Sequence, residues 1–141
     1  MRRNSSTGIF LGLILLGTAG AVTESALAEA PADFLKTYEA EARQDKDFTG
    51  FSAERGRAFF QQTHGSDWSC ASCHTKNPAA SGKHAKTSKP IKPLAPSANP
   101  ERFTSTRKVD KWFRRNCNDV VGRACTPQEK GDILTYLMSV K

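Results

Sequence analysis

The sequence predicts an all-α fold, and three features of the chain support this class. Apolar residues recur at helical spacing in several segments, most clearly near the C-terminus. Residues that commonly cap helices, such as Ser52 and Thr126, come directly before two of these segments. Finally, no alternating strand pattern precedes Cys70.

The first 28 residues have the composition of an export signal. Arg2 and Arg3 supply positive charge, residues 9–22 form an apolar run, and residues 26–28 resemble a small-residue cleavage site. The apolar run is too short to anchor the chain across a bilayer core of roughly 30 Å. We therefore expect residues 1–28 to be removed and the mature protein to be soluble and periplasmic.

The remaining chain, residues 29–141, has the length of one small domain and is basic. The full sequence carries a formal net charge of +7 and contains 4 cysteines. In an exported protein, a basic balance favours an acidic protein or an anionic surface as partner over nucleic acid. Cysteines that no cofactor uses are expected to form a disulfide in that oxidising compartment.

Two helices are predicted before the cysteine motif. Residues 29–50 predict an N-terminal helix followed by a loop, and residues 51–141 predict the main domain. Within this domain a helix begins after Ser52 and presents Phe60 on an apolar edge. Gly56 lowers the helix propensity of this segment, so we expect a close packing contact there.

The second half of the domain predicts a wrapped segment and two further helices. Residues 75–100 are rich in proline and lysine and contain no acidic residue, which indicates extended backbone. Thr104 or Ser105 is expected to cap the next helix. Thr126 caps the last helix, and Glu129 completes its capping box. The buried stripe of that last helix comprises Ile133, Leu134, Leu137 and Val140.

The motif C-x-x-C-H at Cys70, Cys73 and His74 predicts one covalently attached haem c. The two thiols can add to the two haem vinyl groups, while the adjacent imidazole binds the iron. A thioredoxin-like redox pair would usually follow a strand. A zinc site completed by Cys117 and Cys125 would favour two closely spaced pairs. We therefore predict haem, with His74 as the proximal ligand.

The order of these parts resembles the class I cytochromes c. In that family a helix ends in C-x-x-C-H and the C-terminal helix packs across it, which would bring Gly56 and Phe60 against Leu134 and Leu137. That family usually keeps a methionine as sixth iron ligand before the last helix, but this sequence has none there. Met138 lies near the end of the last helix.

Two other histidines are available, but we predict solvated surface roles for both. His64 precedes the haem motif. His84 follows it closely in a lysine-rich loop, which is a short connection for reaching the opposite face of the haem. Histidines of this kind are more often surface residues than iron ligands.

An asparagine before the last helix is the leading candidate for the sixth ligand. Four residues share one helical arc of about 100°: Trp112, Asn116, Val109 and Phe113. An amide buried among apolar side chains needs a partner, and iron is one possibility. A helix cap or a bond to a local carbonyl is another. Asn99 is a second candidate, although Pro100 forces it into extended backbone.

Residues 90–136 resemble the sphaeroides haem protein family, a group of small oxygen-binding class I c-type cytochromes. The run KWFRRNCNDVVGRACTPQEKGD at residues 111–132 carries most of this resemblance. The resemblance implies that Asn116 is the sixth iron ligand and that Cys117 and Cys125 form a disulfide. It also implies that the ferrous protein binds a diatomic gas such as oxygen or nitric oxide.

Ligand chemistry agrees with that implication. An amide oxygen is a hard donor that suits ferric iron better than ferrous iron, so reduction should weaken the bond to Asn116. Trp112 and Phe113 are candidates for lining the opened pocket. One alternative is a plain electron carrier that keeps both axial ligands. Another is a haem enzyme that reduces oxygen or nitric oxide, although no histidine is placed beside Asn116 for acid–base chemistry.

A lysine-rich surface is predicted near the haem motif. It comprises Lys76, Lys83, Lys86, Lys89 and Lys92, all in the acid-free segment. These lysines could steer an acidic redox partner to the haem, although a run of charge is also typical of a solvated surface. The family resemblance implies a dihaem cytochrome c as electron donor, with the membrane reached only through a partner.

Overall fold

The computed structural model describes residues 29–65 and 67–141 and confirms the all-α class. Five helices and one short hairpin follow in order: α1 Pro31–Ala42, α2 Ala53–Gln61, α3 Cys70–His74, β1 Gly82–Lys83, β2 Pro90–Ile91, α4 Thr106–Val121 and α5 Pro127–Ser139. The two strands pair antiparallel. The predicted signal, residues 1–28, lies outside the described residues. None of the described helices has the length and apolar character needed to cross a membrane.

Side-chain caps begin α2 and α5 where the sequence predicts them. The Ser52 hydroxyl accepts a hydrogen bond from the Arg55 N–H at 3.2 Å. At α5 the Thr126 hydroxyl accepts from the Glu129 N–H at 3.2 Å, and the Glu129 carboxylate accepts from the Thr126 N–H at 2.8 Å. Both ends of this capping box are therefore satisfied.

The cap of α4 differs from the sequence prediction. Ser105 is the residue at the N-cap position, but its side chain makes no capping hydrogen bond. The Glu29 carboxylate instead accepts a hydrogen bond from the Thr106 N–H at 2.5 Å. A residue distant in the sequence thus replaces the local cap, which local pattern alone does not reveal.

Helices α2 and α5 cross with their backbones in contact at Gly56. A methyl group at this position would lie 1.9 Å from the carbonyl oxygen of Asp132. The expected close contact is present, but it meets Asp132 rather than Leu134. Phe60 lies one turn further along α2 and packs in the same cluster as Leu137. Only a residue without a side chain permits this helix separation.

A buried carboxylate fixes the same crossing. Asp132 is 5% exposed. Its carboxylate accepts hydrogen bonds from the Ser52 N–H at 2.7 Å, from Nε of Arg55 at 2.8 Å and from the Gln128 amide at 3.0 Å. These donors compensate the cost of burying the charge and hold the start of α2 on α5.

Helix α1 shares the core of the domain. Phe34 and Tyr38 are buried in one cluster with Val109 of α4 and Leu134 of α5. The apolar spacing of α1 therefore serves packing onto the last helix. The N-terminal helix and the predicted main domain meet in this cluster.

The proline-rich segment, predicted to be extended, instead forms turns, bends and the short β1–β2 hairpin. The carbonyl oxygen of Pro78 accepts hydrogen bonds from the N–H groups of Leu94 and Ala95 at 2.8 and 2.9 Å. Pro78 is itself among the largest fully buried side chains. The segment therefore folds back on itself and carries the chain from α3 to α4.

Candidate haem site

The two motif cysteines lie on the short helix α3. Ser69 begins this helix, because its hydroxyl accepts a hydrogen bond from the Ser72 N–H at 3.2 Å while its own N–H donates to the Ser72 hydroxyl at 3.0 Å. Cys70 and Cys73 are free thiols, both half-buried. They are three positions apart along the chain, so they lie on the same side of α3.

The hairpin after α3 packs closely against Cys73. A methyl group at Gly82 would lie 2.0 Å from the Cys73 carbonyl oxygen. The Ala85 N–H donates to Sγ of Cys73 at 3.3 Å. The role of Gly82 was not predicted from the sequence. The only feature that could have indicated it is the presence of a glycine within a lysine-rich segment. The hairpin therefore fixes the orientation of the second thiol.

His74 has the properties that an iron ligand requires. Burial, followed by the nearby positive charge of Arg102, lowers the pKa of His74 to about 4. The imidazole is therefore neutral at neutral pH, which is the form that binds a metal. Its Nδ1 atom is buried without a hydrogen-bond partner among the described residues. Phe60 packs beside the ring, with the two ring centroids 6.4 Å apart.

Arg102 is a second residue that the sequence analysis missed. It is half-buried. Its Nε and Nη2 atoms donate to the carbonyl oxygens of Pro93 and Lys92 at 2.9 and 2.7 Å. Burial lowers the pKa of Arg102, although an arginine stays charged at any ordinary pH. The two backbone bonds therefore hold a fixed positive charge near His74. An arginine directly after the proline-rich segment was the only available signal.

Neither competing use of the cysteines agrees with the structure. Burial raises the pKa of the Cys70 thiol to about 11, whereas the reactive thiol of a redox pair has a lowered pKa. Cys117 and Cys125 form a disulfide with their Cα atoms 5.6 Å apart, so they are not available as zinc ligands. Within residues 29–65 and 67–141 no group of three or more metal-binding side chains comes together.

An apolar wall connects α3 with α4. Several half-buried side chains pack against the buried cluster around Phe60 and Leu137: Cys70, Ala71, Leu94, Phe103 and Phe113. The haem-motif helix and the helix of the candidate sixth ligand thus contact the same cluster. A large flat apolar cofactor attached through Cys70 and Cys73 fits such a wall, because haem burial contributes apolar contact area.

The structure corrects one expectation about Asn116. Its side chain is exposed rather than buried. Val109, Phe113 and Cys117 form the row of α4 that faces the core, with Val109 and Cys117 buried. At about 100° per residue, Asn116 lies at one edge of that row. Trp112 lies on the same edge and is 47% exposed.

The local alternatives for Asn116 are not realised. Helix α4 continues beyond it to Val121 and ends at Gly122, which has left-handed backbone, so Asn116 caps no helix end. Asn118 donates to the Arg114 carbonyl oxygen at 2.7 Å. By contrast, the side-chain amide of Asn116 has no hydrogen-bond partner among the described residues.

The side chain of Asn99 already makes local hydrogen bonds. Its amide donates to the Pro93 carbonyl oxygen at 3.2 Å, and its side-chain oxygen accepts from the Glu101 N–H at 3.3 Å. Met138 is 42% exposed on α5. Of the two asparagine candidates, Asn116 is thus the one whose side-chain amide makes no hydrogen bond among the described residues.

The two remaining histidines make local bonds and are half-buried rather than solvated. Nε2 of His64 lies 2.7 Å from the Phe59 carbonyl oxygen. Nδ1 of His84 accepts from the N–H groups of Lys86 and Thr87, both at 3.3 Å. Their rings therefore support the backbone of a turn and of the hairpin.

Comparison with known proteins identifies the family. A family model described as a domain of unknown function, DUF1924, matches residues 46–137. Cytochrome c-type protein SHP of Cereibacter sphaeroides is 44% identical over 133 residues, covering 92% of this chain and 95% of that protein. This chain belongs to the sphaeroides haem protein family.

Two solved cytochrome structures are similar to this fold. The structure of oxidised SHP, described as an oxygen-binding cytochrome c, matches with a TM-score of 0.70 at 45% identity and covers 78% of this chain and 96% of that one. Oxidised cytochrome c'' from Methylophilus methylotrophus matches with a TM-score of 0.69 at 35% identity and covers 79% and 94%. In sequence, cytochrome c'' is 46% identical over 80 residues, which is 57% of this chain and 56% of that protein.

As a member of the sphaeroides haem protein family, the chain is a class I-like cytochrome c that carries one covalently bound haem c. The predicted fold and cofactor are confirmed. The C-x-x-C-H motif, the neutral imidazole and the apolar wall together form a site suited to this group.

Proposed function

We propose that the protein is an exported monohaem cytochrome that couples electron transfer to redox-gated binding of a small diatomic gas. The relative of known structure with 45% identity is described as oxygen-binding. Haem supplies an iron that changes redox state and that can accept a gas once one axial position is open. The residues of this chain determine when that position opens.

Three residues hold the haem. Cys70 and Cys73 form the thioether bonds, and His74 is the proximal ligand. Cys70 and Cys73 form no disulfide, and the imidazole of His74 is buried and neutral, which supports these roles. Contacts from Gly82 and Ala85 keep Cys73 in a fixed orientation, so attachment does not depend on α3 alone.

Asn116 is the proposed sixth ligand, and its uncommitted amide is the observation that carries the proposal. The other candidates make bonds to the backbone or, like Met138, are exposed on another helix. Asn118, two residues further along the same helix, is bonded to a carbonyl. Asn116 therefore binds or leaves the iron without losing a local hydrogen bond.

The dependence of gas binding on the redox state follows from the hardness of the amide oxygen as a ligand atom. A neutral amide oxygen binds ferric iron better than ferrous iron. Asn116 is therefore expected to remain bound in the oxidised protein and to leave on reduction. Trp112 and Phe113 lie on neighbouring positions of α4 and would line the opened pocket. Phe113 is anchored by an edge contact with Tyr38, with ring centroids 5.9 Å apart.

The disulfide supports the movement of the ligand. Cys117 follows Asn116 directly, and its bridge to Cys125 ties α4 to the chain just before α5. A loop of this length stabilises the fold by roughly 2.5 kcal/mol in the loop-entropy treatment. The backbone beside Asn116 therefore stays in place while the side chain leaves and returns.

Electrons are proposed to come from an acidic redox protein, such as a dihaem cytochrome c, in the periplasm. The lysines of the acid-free segment are all exposed. Lys83 and Lys86 flank Ala85, whose N–H contacts the Cys73 sulfur. An acidic partner docked there would lie beside the haem attachment, which would keep the path of the electron short.

The test is a set of visible spectra of the purified holoprotein, ferric and ferrous, with and without carbon monoxide. The ferric protein should be low-spin, and the ferrous protein should become five-coordinate and bind carbon monoxide. Asn116→Ala should convert the ferric spectrum to high-spin. Asn118→Ala is the matched control on the same helix and should leave the spectrum unchanged.

Two outcomes contradict the proposal. A ferrous protein that stays low-spin and does not bind carbon monoxide is a plain electron carrier. If Asn99→Ala changes the ferric spectrum and Asn116→Ala does not, the ligand is Asn99. Turnover assays with oxygen and nitric oxide then distinguish reversible binding from reduction by a haem enzyme.

A further inference from the structure

A concave site with no α3 residue in its lining lies beside α1. It is a cavity of about 180 Å³ between α1, the start of α4 and α5. The residues of its lining that matter here are Glu29, Asp33, Tyr38, Glu41, Asp110 and Lys130. None of the residues proposed to hold the haem is part of this lining.

The lining is acidic in a chain whose net charge is +7. The Glu29 carboxylate already accepts a hydrogen bond from the Thr106 N–H at the N-terminus of α4. Asp33 forms an ion pair with Lys36 at 3.1 Å. The carboxylates of Glu41 and Asp110 have no hydrogen-bond or ion-pair partner among the described residues. Both residues are exposed, so two unpaired negative charges border the cavity at the protein surface.

Tyr38 adds an unsatisfied polar atom to these charges. The residue is 3% exposed, and its hydroxyl is buried without a hydrogen-bond partner. Leaving such a buried group unpaired is unfavourable. Burial first, and then the charges of Asp110 and Glu41, raise the pKa of Tyr38. The hydroxyl is therefore a protonated donor close to both carboxylates.

The ring of Tyr38 already attracts an ammonium group. Nζ of Lys130 lies over it, 5.4 Å from the ring centroid. A lysine ammonium on an aromatic ring is stabilised by the negative charge of the ring face. The cavity thus offers a cation site of which the chain's own Lys130 occupies one face.

We propose that this cavity binds a small amino alcohol. The ammonium group of the ligand pairs with Glu41 and Asp110, and its hydroxyl oxygen accepts a hydrogen bond from Tyr38. The carboxylates require a donor and the tyrosine requires an acceptor, so one ligand carrying both groups satisfies the site. A simple amine satisfies only the carboxylates.

The experiment compares ethanolamine with ethylamine, which lacks the hydroxyl, by isothermal titration calorimetry of the ferric holoprotein at neutral pH. Ethanolamine should bind saturably and more tightly than ethylamine. Asp110→Asn should weaken binding of both amines by roughly tenfold, the effect of losing one charge-assisted hydrogen bond. Asp119→Asn, an exposed acid further along α4, is the matched control and should have no effect.

Two further variants test the geometry. Tyr38→Phe keeps the ring in the core and should abolish the advantage of ethanolamine over ethylamine. Lys130→Met removes the competing ammonium and should tighten binding of both. The visible spectrum must stay unchanged during the titration, because an amine bound to the iron would shift it.

Three results overturn the proposal. The first is no saturable heat with ethanolamine, which would mean that water alone satisfies Tyr38. The second is equal binding of the two amines to the unmodified protein. The third is a shift of the haem spectrum in step with the heat, which would place the amine at the iron.

Discussion

Glu129 shows at the scale of one residue how a charge is stabilised near the surface. Burial alone raises the pKa of this carboxyl, but hydrogen bonds from Arg123 and from the Thr126 N–H outweigh burial, so its pKa lies below the usual value. Arg123 donates from Nη1 and Nη2 at 2.8 and 2.6 Å. The carboxylate form is therefore favoured in the folded protein.

The lowered pKa predicts a pH-dependent contribution to stability. The contribution is present above the unfolded pKa of about 4.3 and is lost as the pH falls through the folded pKa. Because Arg123 is half-exposed, Glu129→Gln should lower the free energy of unfolding by only roughly 0.5–1 kcal/mol near pH 7. Near pH 3 the difference should become much smaller.

Urea unfolding of the holoprotein at both pH values checks this prediction. Glu54→Gln is the control, since Glu54 also lies in the first turn of a helix but has no arginine partner in the described structure. A Glu129→Gln effect that is equal at both pH values would contradict the assigned role of the charge.

For Asn116, the sequence and the structure give different information about the side-chain amide. Its place before a cysteine pair made it the predicted ligand through family resemblance. The sequence left open whether the amide bonds locally, because the end of α4 could not be located. The structure extends α4 to Val121 and leaves the amide without a partner among the described residues. The ligand role itself stays a prediction until spectra test it.

At the scale of elements, the crossing of α2 and α5 is the most constrained contact. Gly56 was predicted as a close-contact residue from its cost in helix propensity. The register of the contact was not predicted, since helical spacing shows which face is buried but not which residue opposes it. The structure places Gly56 against the backbone of Asp132.

Gly56→Ala separates two opposing effects. Helix propensity alone would make the alanine variant more stable by roughly 1 kcal/mol. A methyl group 1.9 Å from the Asp132 carbonyl oxygen cannot be accommodated without separating the helices. We therefore expect a loss of at least about 2 kcal/mol.

Thermal and urea unfolding followed by far-ultraviolet circular dichroism measure the change. Ala58→Gly, at an exposed position of the same helix, is the control and should cost only about 1 kcal/mol. A Gly56→Ala protein as stable as the parent would show that the crossing tolerates a side chain.

At the scale of the whole molecule, one segment carries positive charge without any acidic residue. The chain is basic overall, and residues 75–100 contain no acidic residue. Lys83 and Lys86 lie on either side of Ala85 in the chain, and the Ala85 N–H contacts the Cys73 sulfur. The field of the protein should therefore draw anionic reactants towards the haem attachment.

Reaction with ferricyanide tests this surface without knowledge of the natural partner. Oxidation of the ferrous protein by this anion should slow as salt is added. Lys83→Glu together with Lys86→Glu should slow it by roughly threefold or more at low ionic strength. Lys108→Glu, on α4, changes the charge by the same amount per substituted residue. It should slow the reaction less than each substitution in the hairpin does. Slowing by the control that reaches half of the double variant's effect on a logarithmic scale, or more, would mean that only net charge matters.

The sequence by itself determined the cofactor, the fold class and the family. The motif at Cys70, Cys73 and His74 needs only adjacent residues, and the capped, periodic segments need only local spacing. Family resemblance then supplied the Cys117–Cys125 pairing, which the structure contains.

The tertiary structure alone decided which groups meet across the chain. It placed Asp132 against Gly56, Arg102 near His74, and the free amide of Asn116 at the edge of α4. It also assembled the acidic cavity around Tyr38 from α1, α4 and α5. Such contacts depend on the register and crossing of packed helices, which side chains distant in sequence set together and which no local pattern encodes.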